Sequence, residues 1–418
     1  MSQYLIVAME NKSLNRIIYL LILLFCFASC HNLFDDDDDD QPASEYLVTY
    51  EMIKSYTPTQ IEWAFDNLFS GYPELMTIKD KFNLGLVVYK ISYNTVLQGK
   101  DEVASGLVCI PMGEGPFPLL SYQNGTNTEH SNAPSVNPNR DLYLMLEFIS
   151  SAGFVISIPD YLGFGSSDNI FHPYLHKEST VQSVIDMLRA VEELAQIRSV
   201  QLKDELYITG YSQGGWATLQ VQKAIETQHS NEFNLEASAP AAGPYDLGYI
   251  NDYIRELTEY PMPYFLGYIC HSYSNLEVMT TPMVEIFNEP YASKIPDLYD
   301  GSKSGEAINS ELTTVISDLL TQNYITNFET DGTFSSLRSA LESNSISAWH
   351  TSVPTKIIHG TSDAFVPFEV SQNLYNDFKE EGAGDQVELI PLNEMDHTGG
   401  IIPAGLISVL WFLEISND

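Results

Sequence analysis

The sequence predicts an α/β protein: a mostly parallel central sheet, helices on both of its faces, and one long helical insertion. Three observations predict it. Short apolar runs alternate with longer segments of helical periodicity, as strands and covering helices do in a sheet buried on both sides. One such run, Leu206 to Ile208, leads directly into GYSQGG and then into a helical stretch from Trp216. Residues 245–348 break the alternation, and about a hundred residues between two strands make a subdomain rather than a loop.

Taken in order, residues 46–75 read as amphipathic helix, broken by Pro58 and ended by Gly71 and Pro73. Leu84–Tyr93 alternates and is rich in Val, Ile and Tyr, which is strand chemistry. Ala104–Pro111 is the next strand, and PFPLLSYQNGT at 116–126 is another that ends in a polar loop. Phe154–Pro159 follows and leads into DYLGFGSSD. Thr180–Gln196 is helix, with Val181, Val184, Ile185, Leu188, Val191 and Leu194 on one face. Strands are expected at 205–211, 235–242, 354–359 and 387–392, and an apolar helix at 401–415. No period of 20 to 50 residues recurs, which excludes a repeat array. Within the insertion, Tyr245, Tyr249 and Tyr253, and again Tyr260, Tyr264 and Tyr268, are spaced to share a helical face. Each trio reads either as a packed face or as an aromatic lid over a site.

The chain of 418 residues is 44% hydrophobic and 12% aromatic, ample for a large core. With 56 acidic against 19 basic residues its net charge is −37, which repels phosphate backbones and argues against nucleic-acid binding. At the N-terminus, Lys12 and Arg16 precede an apolar stretch from Ile17 to Ala28, then Ser29 and Cys30. A basic region, a short apolar core and small residues make a secretory signal over 1–29. The apolar run is too short to span a bilayer comfortably. FASC at 27–30 resembles the lipobox of bacterial lipoproteins, which implies that Cys30 becomes the lipidated N-terminus and anchors the exported chain to a membrane. Residues 30–45 include six successive aspartates, a self-repelling, solvated tether rather than a calcium cage. An acidic stretch just after that cysteine resembles the surface-export signal of some Gram-negative lipoproteins, which implies outer-membrane display. Cys109 and Cys270 remain, and they read as two separate buried thiols rather than a disulfide. His172 and His176 lack a third ligand and read as loop and helix-start residues, so no metal site is expected.

A serine hydroxyl is a poor nucleophile until a base takes its proton, and the base must in turn be oriented by an acid. Ser212 sits in the G-x-S-x-G of GYSQGG, between a strand and a helix, with glycines that let the backbone turn tightly. PTKIIHGTSDAFVP places Asp363 in the turn beyond a buried strand, where functional groups of parallel sheets gather; His359 lies within that strand. LIPLNEMDHTGG places His397 in the loop between the last strand and the last helix. Serine, acid and histidine thus occur in one order, each at a strand end. An oxyanion hole would use the backbone N–H of Gln213 and a second from the loop YQNGTNTEH. Gly125 permits close approach there, and Asn124 or Thr126 offers the N–H.

SGLVCIP, LLSYQNGT, IPDYLGFGSS followed by HPYL, a helix containing DMLRA, GYSQGG and HGTSDAFVP together resemble the secretory-lipase group of α/β-hydrolases, over about residues 80 to 410. The resemblance implies an α/β-hydrolase domain over 46–418 with a helical lid at 245–348. It also implies hydrolysis of small-molecule or lipid carboxylic esters through an acyl-enzyme, without a cofactor. By it Ser212 is the nucleophile, Asp363 the orienting acid and His397 the base, whereas Asp160 and Tyr161 match a structural strand-end motif. Two other enzymatic readings use the same triad: an exopeptidase of prolyl-oligopeptidase type and a carbohydrate esterase. A peptidase would hold a peptide amine with carboxylates, for which Glu256, Glu259, Glu277, Glu285 and Glu289 are candidates. A surface binding protein on a dead hydrolase scaffold is a third reading.

Overall fold

In the computed structural model, residues 44–416 are described, apart from 69 and 72. The signal segment, Cys30 and the tether as far as residue 43 lie outside the described residues. The described residues form a nine-stranded sheet in the order β1-β2-β3-β5-β4-β6-β7-β8-β9. Its strands are β1 (Leu47–Tyr56), β2 (Gly85–Leu97), β3 (Lys100–Met112), β4 (Phe117–Gln123), β5 (Val155–Pro159), β6 (Leu202–Tyr211), β7 (Asn234–Ala241), β8 (Thr355–Gly360) and β9 (Val387–Leu392). The first three pair antiparallel, and β3 also pairs antiparallel with β5. From β5 through β9 every pairing is parallel. Among the described residues no helix is long and apolar enough to cross a membrane.

Side chains alternate between two cores, as the two-residue period of a strand requires. On β3, Val108 and Ile110 enter one core while Leu107 and Cys109 enter the other. On β6, Leu206 and Ile208 face the first and Tyr207 the second. The first core is covered by α3 (Lys177–Ile197) and α4 (Gln213–Gln228). The second is covered by α1 (Pro58–Asn67), α2 (Asp141–Ile149) and α9 (Ile401–Ile415). This is the mostly parallel, doubly covered sheet that the alternation of strands and helices predicts. Cys109 and Cys270 are both buried, free thiols.

Residues 47–56 correct the expectation of helix across 46–75: they form an edge strand on β2. An edge strand of this kind shows no clean alternation, because most of its residues stay exposed or half-buried. Helix begins only at Pro58, where Thr57 caps it and Gln60 Oε1 accepts in return from the Thr57 N–H. The start of the strand is held by Glu193 of α3, whose carboxylate accepts from the N–H groups of Glu45, Tyr46 and Leu47 at 2.6–3.2 Å.

Between β7 and β8 lie several helices, among them α5 (Leu247–Glu256), α6 (Tyr264–Asn275) and α7 (Ser335–Asn344). Neither tyrosine trio is a continuous helical face. Tyr245 precedes Asp246, which caps α5, and Tyr260 precedes Pro261 and Pro263 ahead of α6. The prolines and the cap interrupt a spacing that residue type alone suggests.

One buried ion pair ties β1 to α2. Lys54 Nζ lies 2.6 Å from Glu147 Oε1 and also donates to Pro138 O at 2.8 Å. Burial raises the Glu147 carboxyl to about 7, with Lys54 and Tyr56 opposing that rise. A carboxyl whose folded value exceeds its unfolded value favours folding when protonated, so this group's contribution falls as pH rises through about 7. Without Lys54 the carboxyl would take up a proton rather than stay ionised in the interior, so the pH dependence is bounded by its folded-state value of about 7. Lys54→Met should therefore cost about 1–1.5 kcal/mol more at pH 8 than at pH 5, where Glu147 is neutral in both proteins. Denaturant melts at the two pH values measure the difference.

Candidate active site

The carboxyl ends of three parallel strands deliver the groups that the motifs single out. Ser212 follows β6 directly and stands at the N-terminus of α4. Its φ of 60° and ψ of −122° are sterically costly for a residue with a Cβ. Contacts on both sides enforce this elbow. Ser212 N–H donates to Ala241 O on β7 at 2.9 Å, and Trp216 N–H donates to Ser212 O at 3.2 Å. Gly214 and Gly215 are required here, since a Cβ on the first would overlap Gln123 O and one on the second Ala241 O.

Asp363 lies in the turn after β8, and His397 in the loop between β9 and α9. His397 Nε2 is 2.9 Å from Ser212 Oγ, and its Nδ1 is 2.6 Å from Asp363 Oδ2. A carboxylate facing Nδ1 requires the proton there, which leaves Nε2 as an acceptor for the serine hydroxyl. Asp363 Oδ1 accepts from the N–H groups of Phe365 and Val366 at 2.8 and 2.9 Å. Burial alone would raise the Asp363 carboxyl. Hydrogen bonds from His359, His397 and Val366 N–H outweigh it and hold the group well below the usual carboxylate range. Tyr211, the last residue of β6, donates to His397 O at 2.6 Å and packs edge-on against its ring.

Two histidines that the sequence reading places only in a strand and a loop also enter the site. His359, on β8, donates from Nε2 toward Asp363 Oδ2 at 3.1 Å. Its position four residues before Asp363 in HGTSD was the available signal. His172 packs beside the elbow: its Nδ1 donates to Leu162 O at 2.7 Å, and its Nε2 accepts from Gln213 Nε2 at 3.0 Å. Burial lowers His172 to about 4, so the ring is neutral and serves as a fixed acceptor. His176 caps α3. Among the described residues no group of three or more His, Cys, Asp or Glu is placed to hold a metal.

Gln213 occupies the first position of α4, where its backbone N–H has no intrahelical acceptor. The loop after β4 approaches the serine, with the Cβ site of Gly125 4.0 Å from Ser212 Cβ. Asn124 turns its side chain away to donate to Pro159 O, and its carbonyl accepts from Tyr161 O–H at 3.3 Å. Thr126 Oγ1 pairs with Tyr174 O–H at 3.0 Å. Tyr174 stacks on Tyr268 with ring centroids 4.4 Å apart, and Tyr268 on Tyr299 at 4.7 Å, so this loop is buttressed from the segment between β7 and β8. Asp160 is buried and bound by Ser105 and Ser135, a structural anchor beneath the site.

Ser212 opens into a narrow cavity of about 70 Å³. Its walls include Tyr174, Leu175, Phe365 and Val366 from the sheet side, and Leu247, Ile250, Ile254, Leu266, Ile269 and Leu337 from the segment between β7 and β8, with Asn251, Tyr260 and Tyr324 as polar members. None of Glu256, Glu259, Glu277, Glu285 or Glu289 lines it. A somewhat larger apolar cavity, about 90 Å³, lies among α1, α2 and α9, but no serine, histidine or carboxylate reaches it.

The model of the secretory lipase family matches residues 129–412. Among solved structures, a Legionella pneumophila protein described as a hydrolase superposes with a TM-score of 0.79 at 26% identity, over 88% of this chain and 98% of its own. The rice cell wall degrading esterase LipA from Xanthomonas oryzae superposes with a TM-score of 0.74 at 25% identity, over 90% of this chain and 98% of that one. Candida antarctica lipase A in its closed state shares the fold, with a TM-score of 0.62 at 16% identity over 87% and 81% of the two chains. No curated protein matches the sequence. The family match spans well over half of the chain and includes the elbow, the acid turn and the histidine loop. The chain belongs to the secretory lipase family and is an ester hydrolase.

Proposed function

We propose that this ester hydrolase works through an acyl-enzyme on Ser212, with His397 as base and Asp363 as its orienting acid. The observation that carries the reading is the unbroken chain Ser212 Oγ, His397 Nε2, His397 Nδ1, Asp363 Oδ2, with links of 2.9 and 2.6 Å. His397 takes the hydroxyl proton as Oγ bonds to the ester carbonyl carbon and the carbonyl electron pair moves onto oxygen. The Gln213 N–H and one N–H from the loop Asn124–Gly125–Thr126 receive that oxyanion. On collapse the alcohol leaves with the proton from His397. Water repeats the sequence on the acyl-enzyme, releasing the acid and restoring Ser212.

The apolar cavity beside Ser212 supports an alkyl acyl group as its occupant, and the helical segment that walls it serves as the lid. The Xanthomonas esterase is named for cell-wall degradation; an apolar lining here supports an alkyl chain over a sugar in this subsite. Because the glutamates of the lid stay out of the cavity, no carboxylate in its lining would hold a peptide amine. In a series of p-nitrophenyl esters, kcat/KM should rise about three- to fourfold per added methylene until the cavity is full, then fall. Faster turnover of aminoacyl-naphthylamides than of these esters would overturn the reading.

The N-terminal pattern supports export and membrane attachment, and the secretory lipase family supports export. In this reading the signal is removed before Cys30, which then carries lipid, with the acidic residues as a tether. Cys30→Ala should release the protein from the membrane fraction, and unchanged association would contradict the anchor.

A further inference from the structure

His359 is fully buried in β8, where its neighbours Ile357 and Ile358 are aliphatic. A polar ring in such a strand costs stability unless both nitrogens are satisfied. Both are. Nε2 faces two acceptors, Asp363 Oδ2 at 3.1 Å and Val366 O at 3.0 Å, so it carries the proton. Nδ1 is then an acceptor, and Ser371 Oγ on α8 (Phe368–Glu380) donates to it at 2.6 Å. The result is a five-residue hydrogen-bonded chain from Ser371 through His359, Asp363 and His397 to Ser212. Its middle member, Asp363 Oδ2, lies between two imidazole rings.

We propose that His359 is a positioning residue for ester hydrolysis: its Nε2–H holds the Asp363 carboxylate in the orientation that meets His397 and draws part of the carboxylate's charge away from that ring. The assignment rests on the proposed roles of Ser212, His397 and Asp363. The two backbone donors, Phe365 N–H and Val366 N–H, engage only Oδ1. The torsion of an aspartate side chain is soft, so the placement of Oδ2 depends on what faces it. His397 gains the shorter contact, 2.6 Å, because the His359 N–H is shared with Val366 O. Asp363 Oδ2 and Val366 O fix the His359 tautomer, since a proton on Nδ1 would leave Nε2 as an acceptor facing both, and the buried Ser371 hydroxyl then donates to Nδ1. The titratable groups facing this pair are His397 and Asp396 from the loop before α9, Tyr211 from β6 and Tyr260 from the lid. Burial and the nearby carboxylates raise both tyrosines, which stay neutral and leave His359 and His397 as the rings that contact Asp363.

Two amides separate positioning from packing. A glutamine amide reaches the place of Nε2 and keeps the donor to Asp363; an asparagine amide reaches only the place of Nδ1 and loses it. His359→Asn should lower kcat about 10- to 100-fold with KM little changed, the loss expected for one charge-assisted hydrogen bond. With less of its charge neutralised, Asp363 would favour the protonated ring more. The acid limb of the kcat/KM profile in His359→Asn should therefore move up by roughly 0.5–1 unit. His359→Gln should restore kcat to within about threefold of the parent and leave the limb in place. Ser212→Ala and a fluorophosphonate label run alongside report on the triad itself, so failure there is distinguishable from failure at His359. Equal losses in the two amide variants, a kcat in His359→Asn within threefold of the parent, or an acid limb that stays put or moves down would overturn the assignment.

Discussion

Ser212→Ala should lower kcat for a p-nitrophenyl ester by roughly a millionfold, the scale seen when a triad nucleophile is deleted. The loss follows from the geometry: the hydroxyl is the group from which His397 Nε2 can take a proton at 2.9 Å, and its removal leaves no oxygen at the elbow to acylate. Stability should not fall with it. Ser212 donates no side-chain bond that caps α4, and the backbone bonds to Ala241 and Trp216 that hold the strained turn remain in the alanine variant. A parallel loss of melting temperature and activity would point to a folding defect instead. Residual activity near the parental rate would remove Ser212 from the mechanism.

Asp363→Asn should lower kcat by about 10⁴-fold, for reasons that go beyond the lost charge. Phe365 and Val366 N–H bind Oδ1 and require an acceptor there, so the amide oxygen takes that place. The amide nitrogen then falls where Oδ2 was, pointing its hydrogens at His397 Nδ1 and His359 Nε2, both donors in the parent. To avoid facing donors, His397 must move its proton to Nε2, the atom that has to accept from Ser212. The base is then blocked without being removed. Because Asp363 is held ionised well below the usual carboxylate range, its own titration does not set the acid limb of the parent's profile. The pH–rate profile together with single-turnover rates checks this. A loss below tenfold would show that the carboxylate does not control the histidine tautomer.

The positions of these groups were legible because each depends on local chemistry that a sequence displays. A strand running into glycines around a serine can be read, as can an aspartate in the turn after IIHG and a histidine between the last strand and the last helix. Parallel strand order then carries Ser212, Asp363 and His397 to the carboxyl ends of β6, β8 and β9, within hydrogen-bond reach. The boundaries of β9 and α9 agree with the sequence reading residue for residue, since both are apolar runs bounded by polar turns. What was not legible depends on long-range neighbours. Residues 47–56 look helical in isolation and become a strand only because β2 offers an unpaired edge. Tyr245 and Tyr260 fit a helical spacing, yet a cap and two prolines place them outside α5 and α6. His359 reads as one more strand residue until Ser371, twelve positions later, and Asp363 fold against its two nitrogens. Whether Asn124 or Thr126 lends the second oxyanion N–H is likewise decided by the approach of the β4 loop to the elbow, which local sequence does not encode.

The most direct measurement is peptide mapping by mass spectrometry after treating the purified protein with a fluorophosphonate. The expected result is a single phosphonylated residue, Ser212, formed rapidly in the parent, slowed by several orders of magnitude in His397→Ala, and absent in Ser212→Ala. Labelling at another serine, or a rate at Ser212 that does not depend on His397, would contradict the proposed mechanism.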